Sequence, residues 1–252
     1  AEVFLSIGIL FWRGVPVEPY WEAVETARAA AELETGVRLR WIFDAVRQFG
    51  VDHVDRVVQW AAQNADAPAA LGIGIGGDEA GGPASWFAAS FARARDAGLR
   101  LTVHAGETCG PDSVWAAIAI GAERIGHGLR AFEDPALVET LAARGISLDI
   151  CPTSNLRTGA WRLDRPYPAL QYREAGVRCA IGTDDPGIFE CDLLGEYEFL
   201  HHSGGFSGED LESLARNSFK CSFLSEAERR AMASLPLLSA PDPGRDRGVG
   251  IE

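Results

Sequence analysis

His104-Ala-Gly-Glu107 follows directly on the apolar run Leu99 to Val103. An imidazole ending a buried strand can give a lone pair to a metal, and a carboxylate three residues on can carry a proton. Lewis acid and proton carrier in one small site is the chemistry of metal-assisted hydrolysis. Similar groups stand at the ends of other apolar runs: Gly77-Asp78-Glu79, His127, Cys151-Pro-Thr-Ser-Asn155 and Thr183-Asp184-Asp185. Adjacent carboxylates repel, so Asp184-Asp185 invites a cation or protonated ring nearby, although Asp-Asp before Pro-Gly is also a common turn or helix cap. His53 falls in a predicted helix and His201-His202 on an amphipathic segment, and these three read as structural or surface groups. Gly72-Ile-Gly-Ile-Gly-Gly-Asp78 alternates glycine within a strand and does not open a helix with GxGxxG, so it is not a dinucleotide loop. Cys151 has no base beside it in the sequence and does not read as a nucleophile.

The elements that must position these groups are legible as alternation. Apolar runs lie at Val3 to Leu10, Val37 to Phe43, Leu71 to Ile75, Leu99 to His104, Arg124 to His127, Ile146 to Cys151 and Val177 to Thr183. Segments of helical period separate them: Pro19 to Glu34, Asp52 to Gln63, Pro83 to Ala97, Pro111 to Ile120, Pro135 to Ala143 and Pro168 to Ala175. Most of these helices start at proline, and several segments close on glycine, such as Gly98, Gly121, Gly145 and Gly176, as first turns and C-terminal caps do. Unbroken apolar strands joined by helices require a parallel sheet with covered faces. Helices at Leu194 to His202, Gly208 to Phe219 and Glu226 to Leu235 follow the last strand.

Periodicity alone leaves two architectures, a (β/α)8 barrel and a doubly wound open sheet. The polar groups favour the barrel, because in a barrel the carboxyl ends of the strands converge on one mouth. The expectation is one barrel domain over residues 1–239, with the C-terminal helices included and 240–252 as a loose tail. A formal net charge of −13 in 252 residues argues against nucleic acid or an anionic membrane as partner. Five widely spaced cysteines, with no CxxC pair, suit a reducing cytosol, and no apolar stretch reaches the roughly 20 residues of a membrane helix.

His104-Ala-Gly-Glu107, Arg124-Ile-Gly-His-Gly128, Cys151-Pro-Thr-Ser-Asn155 and Thr183-Asp-Asp-Pro186, in this order and spacing, resemble the adenosine and adenine deaminase family of the amidohydrolase superfamily. Gly76-Gly-Asp-Glu79 and Asn217-Ser-Phe-Lys-Cys-Ser-Phe-Leu224 resemble further family segments. The resemblance implies a (β/α)8 TIM barrel of the metal-dependent hydrolase type with one Zn2+ per chain. It implies a cytoplasmic aminohydrolase, adenosine deaminase-like, that turns the 6-amino group of an adenine-type nucleoside or base into a 6-oxo group and releases ammonia. His104 and Asp184 correspond to zinc ligands, Glu107 to the acid that protonates ring N1, and His127 to the group that orients the attacking water and takes its proton. Asp185 corresponds to a hydrogen-bond partner of N7, and the Gly77 amide to a donor at N3.

One departure stands out. The family takes two more zinc ligands from a His-x-His at the end of its first strand, and no His-x-His occurs here. With Ala1 followed at once by an apolar run, the sequence is expected to lack the first βα unit, to hold zinc poorly and to be inactive by itself. The competing expectations are a catalytically silent purine-binding barrel and a deaminase of adenine or aminodeoxyfutalosine.

Overall fold

The computed structural model describes residues 1–233. Its strands are β1 (Glu2–Leu5), β2 (Arg40–Val46), β3 (Ala70–Gly76), β4 (Arg100–Ala105), β5 (Arg124–His127), β6 (Ser147–Ile150) and β7 (Cys179–Ile181). They form one parallel sheet in sequence order. A doubly wound sheet reverses its strand order at a switch point, so sequential order excludes it.

Contacts across the sheet prove its curvature. With neighbouring strands about 4.8 Å apart, a flat sheet would hold β1 roughly 19 Å from β5. Instead Arg124 on β5 donates to Glu2 Oε2 on β1 at 2.5 Å. The Phe4 ring of β1 meets the His104 ring of β4 edge-on at 5.4 Å. The strands thus curl as those of a (β/α)8 barrel do. The alternating glycines of β3 make room for this: a Cβ on Gly74 would lie 2.8 Å from the Phe4 ring and 3.0 Å from Asp44 Oδ1. Between the glycines, Ile73 and Ile75 are fully buried.

Helices cover the outside. Val51–Gln63 turns Val54, Val57, Val58, Trp60 and Ala61 inward, and Trp60 packs edge-on against Phe43 of β2 at 5.2 Å. His53 of this helix is buried against Phe49, and His201 and His202 are exposed at the end of Leu193–His202, as their structural readings expected.

Two departures from the sequence reading are local. The run Val3 to Leu10 is a strand only to Leu5, and Gly8–Arg13 is a helix whose Gly8 lies so close to β2 that a Cβ would sit 3.3 Å from the Asp44 carbonyl oxygen. Short helices Pro152–Arg157 and Pro186–Phe189 begin inside the polar motifs after β6 and β7, with proline in the first turn. The final helix spans Glu226–Ala233; the rest of its expected range and the 240–252 tail lie outside the described residues.

Candidate active site

The mouth is built from strand ends that turn sharply. His127, the last residue of β5, has φ 62°, and Asp184, after β7, has φ 54°. Non-glycine residues adopt this left-handed conformation at a cost of order 1–3 kcal/mol, and such strain gathers where side-chain direction matters. The result joins two residues 57 positions apart, since His127 Nε2 lies 3.8 Å from Asp184 Oδ2. It also lies 3.6 Å from Glu107 Oε2, and the His104 and His127 rings are 5.3 Å apart between centroids. Four of the residues singled out in the sequence therefore share one site. Asp185 stands at the N-terminal position of the short helix beside Asp184, and Gly77 sits at the rim after β3 with φ +96°, where a Cβ would lie 1.9 Å from Gln48 Oε1.

Hydrogen bonds fix which atom faces which. His104 Nδ1 pairs with the Ile75 carbonyl oxygen at 3.2 Å. A carbonyl only accepts, so His104 carries its proton on Nδ1 and leaves the Nε2 lone pair free. His127 is held the other way. The Asn155 side-chain amide donates to its Nδ1 at 3.0 Å, and Tyr167 donates to Asn155 Oδ1 at 2.7 Å. The neutral His127 ring then bears its proton on Nε2, toward Glu107 and Asp184. Ser154 donates to Asp184 Oδ2 at 2.6 Å. The segment Cys151 to Asn155 thus serves the site through Ser154 and Asn155, while burial drives the Cys151 thiol well above its ordinary pKa, which removes it as a nucleophile.

Burial dominates the electrostatics. It lowers the pKa of both His104 and His127, which favours neutral rings. It raises Glu107, with the nearby Asp184 and Glu79 charges adding to the effect and His104 opposing it. Asp185 is raised by partial burial and by Asp184. Asp44, inside the barrel on β2, is pushed up to about 7 by burial, and its Oδ1 has no hydrogen-bond partner.

Two buried charges that the sequence did not assign to the site hold this geometry. Arg47, 1 % exposed, donates to the carbonyls of His104 at 2.5 Å, Ile75 at 3.2 Å, Gly76 at 3.3 Å and Gly82 at 3.4 Å. It ties the ends of β3 and β4 together. Glu79 accepts from the amides of Gly106, Glu107, Thr108 and Cys109 and from Ser113 Oγ. Arg47 carries no sequence signal of this kind; Glu79 lies within a motif whose chemistry spacing alone does not assign.

The donors suit zinc in kind but not in number. His104 and Asp184 are two donors of ordinary type, and among the described residues no three His, Cys, Asp or Glu side chains are gathered to hold a metal ion.

The family model described as "Adenosine deaminase" matches residues 1–235. The chain belongs to the adenosine deaminase family. Within the amidohydrolase superfamily it is 40 % identical over 224 residues to an aminodeoxyfutalosine deaminase of Streptomyces avermitilis, which covers 88 % of this chain. The chain spans 63 % of that relative's length. Among solved structures it resembles an adenine deaminase from Arthrobacter aurescens, at TM-score 0.85 and 31 % identity over 92 % of this chain and 71 % of the other. An amidohydrolase from Burkholderia ambifaria, solved with bound Zn, gives TM-score 0.85 and 26 % identity over 92 % of this chain and 65 % of the other. No helix among the described residues is long and apolar enough to cross a membrane.

Proposed function

We propose that this family member carries the catalytic face of a cytosolic, zinc-dependent hydrolase that removes the 6-amino group of an adenine-type nucleoside or base. The observation that carries the reading is the approach of Glu107 and Asp184 to His127 Nε2, at 3.6 and 3.8 Å, beside His104. His104 Nε2 and the Asp184 carboxylate would give zinc two of its ligands. When bound, zinc supplies an acidified water at neutral pH.

The chain's own groups then act on the purine. Water adds poorly to an aromatic C6 until N1 is protonated. Glu107, its pKa raised by burial, is the group placed to donate there. Asp185 would pair with N7, and the Gly77 amide would donate to N3. With Nδ1 engaged by Asn155, His127 presents an N–H at Nε2 and orients the attacking oxygen by donating to it.

The test is a panel of adenosine, 2′-deoxyadenosine, adenine, methylthioadenosine and aminodeoxyfutalosine against the full-length protein, read by ultraviolet change and ammonia release. Turnover of one member with zinc bound supports the reading. The second reading is a silent purine-binding barrel, which full-length protein with neither bound zinc nor turnover after zinc is added would favour.

A further inference from the structure

The loop after β3 and the loop after β4 are joined by one side chain. Glu79 is 4 % exposed and lies two residues beyond Gly77. Its carboxylate takes the Glu107 amide at 2.9 Å, Cys109 at 3.1 Å, Gly106 at 3.2 Å and Thr108 at 3.4 Å. Four successive amides wrapped around one anion form a nest, and Ser113 Oγ closes it at 2.9 Å. The base of Glu79 is equally fixed. Asp78 accepts from the amides of Ala80 and Gly81, its own amide donates to Gln48 Oε1 at 3.1 Å, and Gly82 donates to the Asp78 carbonyl at 3.0 Å.

We propose that Glu79 is a positioning residue that sets the separation between the Gly77 amide and the Glu107 carboxyl, and thereby selects rings with nitrogen acceptors at both N1 and N3. The inference rests on the deaminase reading above. In a six-membered ring N1 and N3 flank one carbon, so their two partners must be held at a fixed spacing. Gly77 and Glu107 are 30 residues apart and lie on different strand ends, and Glu79 is the side chain that bonds one loop while belonging to the other. A buried carboxylate that merely satisfied loop amides would stabilise the fold without affecting ring selection.

The experiment compares full-length wild type with Glu79→Gln and with the milder Ser113→Ala. Turnover is measured on the substrate found active in the panel and on its 3-deaza analogue. Hydrogen exchange of amides 106–109 is followed without substrate. Misplacement of reacting groups by about 1 Å costs on the order of 100-fold in rate. Glu79→Gln should therefore lose about 100-fold in kcat with KM within about 5-fold, and its preference for the N3-bearing substrate over the 3-deaza analogue should shrink at least about 10-fold. Ser113→Ala should move in the same direction by about 3- to 10-fold. Amides 106–109 should exchange faster in both variants. Unchanged kcat and unchanged preference in a folded Glu79→Gln would overturn the proposal, and if that variant does not fold, the same result in Ser113→Ala does so. Unchanged exchange at 106–109 would refute the clamp regardless of activity. A wild type that deaminates nothing overturns the deaminase reading, and the catalytic half of this proposal with it.

Discussion

Replacing Arg47 by methionine removes a guanidinium that reaches four carbonyls on the ends of β3 and β4 and the loop between them. These bonds are not equal. The contacts to Gly76 and Gly82 are long, at 3.3 and 3.4 Å, and Ile75 O keeps its bond from His104 Nδ1. The His104 and Ile75 contacts are the stronger two. Hydrogen bonds from a charged donor contribute about 1.5–3 kcal/mol each, so their loss sets a cost of about 3–6 kcal/mol. Relief of the buried charge offsets part of it, since burial depresses the Arg47 pKa. A net loss of about 2–4 kcal/mol corresponds to a Tm lower by roughly 4–16 °C in a protein of this size. Arg47→Lys should fall between, because an ammonium lacks the planar fork that spans two strand ends. Urea unfolding followed by far-ultraviolet circular dichroism measures both. A change below about 1 kcal/mol for Arg47→Met would refute the view that this cation locks β3 to β4.

Two further outcomes follow from the carboxyl groups. Glu107→Gln should keep the fold and zinc content while kcat drops by about 100-fold or more, and the wild-type rate should fall as pH rises through the elevated Glu107 pKa; undiminished turnover in the variant would refute its role as acid. Asp44, raised to about 7 from 3.8, binds a proton more tightly when folded, so folding stability should decline from near pH 4 to about pH 7 and level off above. Asp44→Asn should flatten that decline in urea midpoints taken at pH 5 and pH 8, and a profile identical to wild type would refute the assignment.

Much of the barrel is readable in the sequence. Each of the seven apolar runs overlaps a strand, and Arg124 to His127 matches its strand end to end. The region around Ile7 misleads because an apolar run of that length suits a strand or a buried helix equally, and only close packing on β2 turns it helical. At the site, His104, Glu107, His127 and Asp184 are visible because each ends or follows a strand. Arg47 and Glu79 escape assignment, since their partners lie 57 and 28 positions away in His104 and Glu107 and no periodicity marks such pairings.

By itself the sequence determined the local terms: which segments are apolar, where proline starts helices and glycine ends them, and which side chains stand at strand ends. These follow from backbone geometry and periodic burial, which act over a few residues. Only the tertiary structure decided that the strands run in order and curl until Glu2 meets Arg124. It also decided that His127 and Asp184 turn left-handed to face each other, and that Asn155 leaves the His127 proton on Nε2. Those outcomes depend on distances between residues remote in the chain. Curling of the sheet sets such distances, and no local propensity encodes them.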